Sequence, residues 1–309
     1  MLVDRILKWA EAEAATRKPT NKIGAHNCGK CPRALWYMLH GEPGEAFQPR
    51  AIVNFALGDA VEDMTFRLIE KAAVGFVRTD DKKDTFDVPP VGRVRSDGVV
   101  AVPDDEPVLT LTDAGVVRFR PSDLGIAIGT VLPVEVKKMS DFAFARLERG
   151  VIDETYLAQG ETYSRGYKTG WWLLFAVRGE TGHLAEVLVK QSNRTWARIV
   201  TNCEDARGDQ LPERPYEVSD ACEGCEGRGT TLHKTPRPHQ PCNGTGRDPQ
   251  GAKLVWPCNY CPHKATCWAD RGTIEMVIDN DKPKWFVKSP SVSSFQTPDP
   301  TASIKASVA

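Results

Sequence analysis

Two carboxylates and an ammonium group fall close together in the segment RPSDLGIAIGTVLPVEVKKMS: Asp123, then Glu135-Val136-Lys137. With Asp123 on one strand and Glu135 to Lys137 on the next, joined at a Gly129-Thr130 turn, the spacing predicts a hairpin. Side chains alternate along a strand, so Glu135 and Lys137 share a face while Val136 enters the core. The three polar groups then converge. Carboxylate oxygens are hard ligands suited to Mg²⁺ or Mn²⁺, and a cation held there lowers the pKa of a water and neutralises charge on a phosphate. Lys137 can orient the attacking water or stabilise the transition state. Charges on the wet face of a hairpin produce the same pattern, so context matters. Gln159 and Tyr163 stand at i, i+4 on a predicted helix and face the same way, and Glu62 sits four residues after Gly58 on another.

Cysteine supplies the second chemistry. Cys258-Asn-Tyr-Cys261 and Cys267 form CxxCx5C, and a cysteine from the early Cys31-Pro32-Arg33 brings the set to four thiolates, the number a [4Fe-4S] cluster needs. A zinc ion takes the same four ligands. Cys28 is the alternative to Cys31, which the Pro-Arg after it and Trp36 behind it favour. Between these segments lie Cys222-Glu-Gly-Cys225 and His239-Gln-Pro-Cys242. Three thiolates and one imidazole satisfy tetrahedral Zn²⁺, with His233 as the competing imidazole. Cys203 reads as a small packed hydrophobe.

The elements that must position these groups follow from periodicity. Residues 2 to 16 predict an amphipathic helix, Pro32 opens a short helix closed by Gly41, and a longer helix covers about 51 to 73. From about 75 to 138, short β-rich runs broken by Gly, Pro and Asp predict a strongly hairpinned sheet. Two helical stretches follow, DFAFARLERG and DETYLAQGETYSRGYK, then strands WWLLFAVRG and LAEVLVK. Trp171, Trp172 and Phe175 read as core. Arg146, Arg165 and Lys168 read equally as phosphate contacts and as solvated charges. The expected fold class is α/β, a mixed central sheet flanked by helices. Expected domains are a core with N-terminal helices at 1–208, a metal-stabilised Cys/His module at 209–250, a cluster segment at 251–275 closing on Cys31, and a polar disordered tail at 276–309.

Net charge is −1, with 40 Lys and Arg against 41 Asp and Glu, so nucleic-acid contact needs a local basic patch. No apolar run is long enough to span a bilayer and the N-terminus lacks a signal-peptide apolar region, so the expectation is an intracellular protein with no membrane partner. The cytosol keeps thiols reduced, which favours metal ligands over disulfides for nine cysteines. No GxxxxGK[ST] loop is present, so a helicase motor would be a separate partner.

The order Gly58-x3-Glu62, Asp123, Glu135-x-Lys137, Gln159-x3-Tyr163 resembles the RecB-like branch of the PD-(D/E)XK nucleases, over about residues 25 to 270. EVKKMSDFAFARLERG and YLAQGETYSRGY are similar to phage-type members. The resemblance implies a restriction-endonuclease-like core and a Mg²⁺- or Mn²⁺-dependent DNA exonuclease acting on single strands or ends in recombination, repair or phage DNA processing. It implies metal binding by Asp123 and Glu135, a catalytic Lys137, and Gln159 and Tyr163 placing DNA. Many relatives carry His where this chain has Glu62, whose carboxylate can still coordinate the ion. Asp97, in VRSDGVV, rivals Asp123 because relatives often have Gly after the motif Asp, but it requires a long insertion before Glu135. The cysteine arrangement is similar to the iron-sulfur branch, seen in CRISPR-associated RecB-like exonucleases and the AddB nuclease domain, where the cluster staples the chain ends together. Residues 222 to 242 resemble the zinc knuckle of DnaJ-type chaperones, with His239 where a cysteine is usual. The implied partners are DNA, a helicase or recombination protein, and a second copy if a dimer or ring forms around DNA. The implied location is the cytoplasm, or a host's if the chain is phage-encoded. Two other classes stay open: a DNA-holding scaffold that does not cut, and a zinc adaptor.

Overall fold

The computed structural model describes residues 2–16, 20–72, 75–79, 84–112, 115–216, 252–254, 256–259, 261–279 and 282–288. The chain divides into two units, Met1–Pro215 and Tyr216–Ala309. No helix among the described residues is long and apolar enough to cross a membrane.

The first unit is mixed α/β. Its helices are α1 (Leu2–Thr16), α2 (Pro32–Leu39), α3 (Pro49–Lys71), α4 (Asp141–Glu148), α5 (Glu154–Tyr167) and α6 (Asn193–Asp205). Its strands are β1 (Phe76–Arg78), β2 (Phe86–Val88), β3 (Gly92–Val94), β4 (Gly98–Ala101), β5 (Val108–Thr112), β6 (Gly115–Phe119), β7 (Val131–Met139), β8 (Trp171–Arg178) and β9 (Leu184–Lys190). Seven of these strands form one sheet in the order β1-β4-β7-β8-β9-β5-β6, and β2 with β3 makes a separate hairpin. β7 is central. It runs antiparallel to β4 and parallel to β8, with α4 and α5 filling the crossover that a parallel pair requires.

Alternation along β7 divides its side chains between two layers. Leu132, Val134 and Val136 join Phe66 of α3 and Val100 of β4 in one apolar cluster. On the opposite face Met139 joins Phe144, Leu147, Trp172 and Leu174 beneath α4. Glu135 and Lys137 lie on that second face, as alternation requires. Helix α5 comes unusually close to β8 because residue 160 is glycine: a Cβ there would overlap the Trp172 ring. Trp172 is accordingly buried core. A third cluster joins Cys28, Leu35, Val91, Tyr163, Ile199 and Cys203, tying α2, α5, α6 and the β2–β3 hairpin together.

The expected hairpin around Gly129-Thr130 does not form. The antiparallel neighbour of β7 is β4, with Gly98 opposite Val134 and Val100 opposite Leu132. Residues 121–124 make a short 3-10 helix closed by Gly125 at φ 73°. Between β4 and β7 the chain leaves for the far edge of the sheet, where β5 pairs with β6 and, in parallel, with β9. This excursion is the long insertion that made Asp97 unattractive in the sequence.

In the second unit, β10 (Ala252–Lys253), β11 (Thr273–Asp279) and β12 (Lys282–Lys288) form a three-stranded sheet in the order β10-β12-β11. Two short helices, α7 (Trp256–Asn259) and α8 (Lys264–Trp268), are also among its described residues. Leu254, Trp268 and Val287 make a small core, with Cys258 and Cys267 packed against it. Residues 276 to 288 were expected within a disordered tail; most of them instead form the β11–β12 hairpin, which buries Phe286 and Val287. The alternating apolar residues Trp285 and Val287 carry that signal, masked by the three lysines of the segment.

Candidate active site

The polar groups meet at the junction of β4 and β7, and the aspartate that arrives there is Asp97. Its backbone N–H donates to Val134 O at 3.2 Å, and its Oδ2 accepts from the Val136 N–H at 2.8 Å. Asp97 is thus pinned across the strand from Glu135. The glycine that follows is needed for packing, since a Cβ at Gly98 would overlap the Phe76 ring. Asp123 is exposed on the 3-10 helix, where its Oδ2 faces the Arg120 N–H at 3.4 Å. The sequence expectation of Asp123 beside Glu135 is therefore corrected to Asp97, because strand pairing with β4 brings residue 97 to β7.

Glu135 is 0% exposed and Lys137 is partly covered, and their charged ends form an ion pair. Lys137 Nζ also donates to Val136 O at 3.2 Å and lies 5.9 Å from the Tyr156 ring centroid. The ammonium contacts Glu135 Oε1, and the Tyr163 hydroxyl is the second polar neighbour of this carboxylate. Burial pushes the Glu135 carboxyl up to about 8, and the neighbouring Asp97 charge adds to the rise; Lys137 and the Tyr163 hydroxyl oppose it. Burial pulls the Lys137 ammonium down, but Glu135, Asp97 and Glu62 together outweigh that and hold it above the ordinary lysine value. Glu62, half-buried on α3, is raised by desolvation and then by Asp97, with Lys137 acting the other way. It therefore shares the electrostatic field of the site.

Helix α5 forms the roof. Gln159 and Tyr163 are buried on it, and burial followed by the Glu135 and Asp97 charges raises the Tyr163 hydroxyl well above its usual range. Tyr156, Gln159 and Tyr163 recur at i, i+3 and i+7, one helical face. Sequence reasoning missed Tyr156, although this periodicity could have found it. It also missed Ser96, whose hydroxyl donates to Gly98 O at 2.8 Å and lies in hydrogen-bond contact with the Tyr167 hydroxyl at 3.2 Å, joining the approach to Asp97 to the end of α5.

The donor set fits a hard divalent cation. Asp97 keeps Oδ1 outside its backbone hydrogen bond, and Glu135 offers two buried oxygens facing a cation. No three His, Cys, Asp or Glu side chains among the described residues are already gathered for a metal. Mg²⁺ does not need such a cage: one or two carboxylates, waters and substrate phosphate oxygens commonly complete its shell.

The cysteines divide between the units. Cys28 and Cys203 are fully buried in the first unit, and burial raises both thiols, Cys203 to about 11. Cys31 is only half-buried; it caps α2, its Sγ accepting from the Ala34 N–H at 3.4 Å. In the second unit, turns link Cys258, Cys261 and Cys267: the Cys261 N–H bonds Cys258 O at 3.1 Å, and the Cys267 N–H bonds His263 O at 2.8 Å. Cys222, Cys225, His233, His239 and Cys242 lie outside the described residues.

No family model matches the sequence, and no curated protein matches it. Among solved structures, SSO0001 is similar at 15% identity and TM-score 0.37, over 68% of this chain and 88% of its own. An alkaline exonuclease (LHK-Exo) from Laribacter hongkongensis is similar at 13% identity and TM-score 0.37, over 61% of this chain and 87% of its own. The same exonuclease in complex with dAMP gives 13% identity and TM-score 0.37, over 62% and 88%. At such scores the site has to be read from its own residues.

Proposed function

We propose that this chain is a divalent-metal-dependent deoxyribonuclease that hydrolyses phosphodiester bonds as an exonuclease on single strands or DNA ends. The observation that carries the reading is Glu135, a fully buried carboxylate beside Asp97 whose charged partner is the Lys137 ammonium. Burying a charge costs several kcal/mol after relaxation, and perturbed carboxylate–lysine clusters concentrate at functional sites. Asp97 and Glu135 would hold Mg²⁺ or Mn²⁺, with Glu62 as a further carboxylate at its edge. Such an ion supplies Lewis-acid stabilisation and a more acidic water when bound. Lys137, kept protonated by the surrounding carboxylates, would donate to a phosphoryl oxygen or orient the water. Gln159 and Tyr163, both buried, would hold the Glu135 side of the site in place. Tyr156 would keep the lysine head over its ring.

The accessory metals belong to the same proposal. A structural [4Fe-4S] cluster would use Cys258, Cys261 and Cys267 with Cys31 as fourth ligand, and a structural Zn²⁺ would use Cys222, Cys225, His239 and Cys242. DNA is the proposed partner, with unwinding left to a separate helicase or recombination protein.

The test is cleavage of end-labelled single- and double-stranded DNA with Mg²⁺ or Mn²⁺, comparing the intact chain with Lys137→Ala. The expected result is metal-dependent cleavage that falls by about 10²–10³-fold or more in the variant, the scale of losing one transition-state donor. DNA binding without cleavage in metal-loaded protein would overturn the nuclease reading in favour of a scaffold.

A further inference from the structure

An open cleft of about 640 Å³ lies at the C-terminal end of α5, lined in part by Asp87, Arg165, Lys168, Gln191 and Trp196. None of these side chains belongs to the carboxylate–lysine cluster. The wall of the cleft is built rather than incidental. Arg165 donates from Nε to Glu161 Oε1 at 2.9 Å and from a terminal nitrogen to Asn193 Oδ1 at 3.1 Å, and its guanidinium carbon lies 4.6 Å from the Trp196 ring centroid. Glu161 is itself buried, and its second oxygen accepts the Ser192 N–H at 2.8 Å. A buried carboxylate thus clamps an arginine against an indole at the rim of an open space.

Lys168 adds a second cation in an unusual conformation. It ends α5 at φ 57°, and among the described residues it is the one non-glycine residue in the left-handed region. That position ordinarily selects Gly, and strained backbone concentrates at binding sites. Its exposed ammonium makes no hydrogen bond or ion pair among the described residues. Asp87, on β2, places a carboxylate in the same lining.

We propose that this cleft is a subsite for one nucleotide of a single strand, next to the phosphate being cut. Lys168 takes a phosphate, the Arg165–Trp196 pair offers a stacking surface to the base, and Asp87 accepts from base N–H groups while repelling a second backbone. Aromatic rings and arginine planes stack bases without regard to sequence, whereas a duplex keeps its bases stacked on each other. The subsite rests on the nuclease reading, because its alignment with the active site comes from α5: Lys168 follows Tyr163 by about 7–8 Å of helix. The Ser96–Tyr167 hydrogen bond fixes that end of α5 to the approach to Asp97.

The experiment measures binding of labelled oligothymidylate and of a blunt duplex to the full chain without added Mg²⁺ or Mn²⁺, where no cleavage occurs, for wild type, Lys168→Gly, Trp196→Ala and Trp196→Phe. Lys168→Gly should weaken single-strand binding about 3–10-fold and lower the salt slope by about 0.7, while raising Tm because glycine relaxes the left-handed residue. Trp196→Ala should weaken it about tenfold or more, Trp196→Phe much less, and duplex binding should change little. If Trp196→Ala does not fold, Lys168→Gly alone decides. Single-strand affinity within twofold of wild type in Lys168→Gly and, where it folds, in Trp196→Ala overturns the subsite, as does a wild-type chain that binds no oligothymidylate. Cleavage that still depends on Lys137 alongside that result would leave the nuclease reading standing.

Discussion

The junction of β4 and β7 and the cysteine segment of the second unit each bring reactive side chains together, by opposite means. At the junction, Asp97 and Glu135 are placed by paired strands between two apolar layers, and the backbone itself bonds the Asp97 carboxylate. In the second unit, the core beside Cys258 and Cys267 is built on Leu254, Trp268 and Val287, and the cysteine run is a pair of short turns. A large hydrophobic core can hold a metal site ready before the metal arrives, whereas a small one draws its stability from the metal. The active-site geometry should therefore survive loss of metal, and the cysteine segment should not.

The sharpest test of the first half separates the two aspartates. Asp97→Asn should reduce metal-dependent cleavage by about 10²-fold or more, while Asp123→Asn, an exposed change, should leave it within a few-fold. Equal losses in both would break the assignment of the site to the β4–β7 junction. For the second half, the proposed iron-sulfur assignment is tested by Cys258→Ser, which on that assignment removes iron and a broad absorbance at about 400 nm. It should also render the C-terminal region protease-sensitive while the first unit keeps its melting transition. Full iron content in the variant would remove Cys258 from the ligand set.

A change aimed only at the hydrophobic support comes next. Gly160→Ala should destabilise the first unit by about 1–3 kcal/mol in chemical denaturation, because the overlap with Trp172 outweighs alanine's better helix propensity. It should leave metal content at the cysteines untouched. An unchanged or raised stability would mean that α5 can lift from β8 freely.

The stability of the divalent-metal-free protein should also depend on pH. The Glu135 carboxyl is raised by burial and Asp97 to about 8, above its unfolded value of about 4.3. Its contribution to stability is then fully present below about pH 4.3 and lost as pH rises through 8. Lys137, raised above its ordinary value, stays protonated throughout that window. Tm should fall between pH 5 and 8.5, Mg²⁺ should restore it at the upper end, and Glu135→Gln should flatten the profile. A flat wild-type profile would contradict the buried, ion-pressed state of this carboxylate.

Much of the corner was legible beforehand. The Glu135-x-Lys137 alternation, the helix carrying Gln159 and Tyr163, and α3 with Glu62 all follow from periods of two and 3.6, which are local properties of the chain. Asp97 was hidden for a nonlocal reason: which strand pairs with β7 depends on where β5 and β6 go, and they go to β9, far along the sequence. The Asp97-Gly98 pair did carry a signal, because the glycine is demanded by Phe76, but that contact exists only once the sheet is built. The β11–β12 hairpin was hidden by Lys282, Lys284 and Lys288, which flank the apolar residues that the strand buries.

The route of β5 and β6 also bears on how the chain is made. Their partner β9 begins only at Leu184, well after Thr112 has left the ribosome. At about 5–20 residues per second, the nascent protein carries a hairpin whose β5 edge, later covered by β9, stays open for several seconds. During translation that edge is the place where a neighbouring chain can pair in place of β9, so expression temperature and ribosome speed should govern the soluble yield more than the stability of the finished fold does.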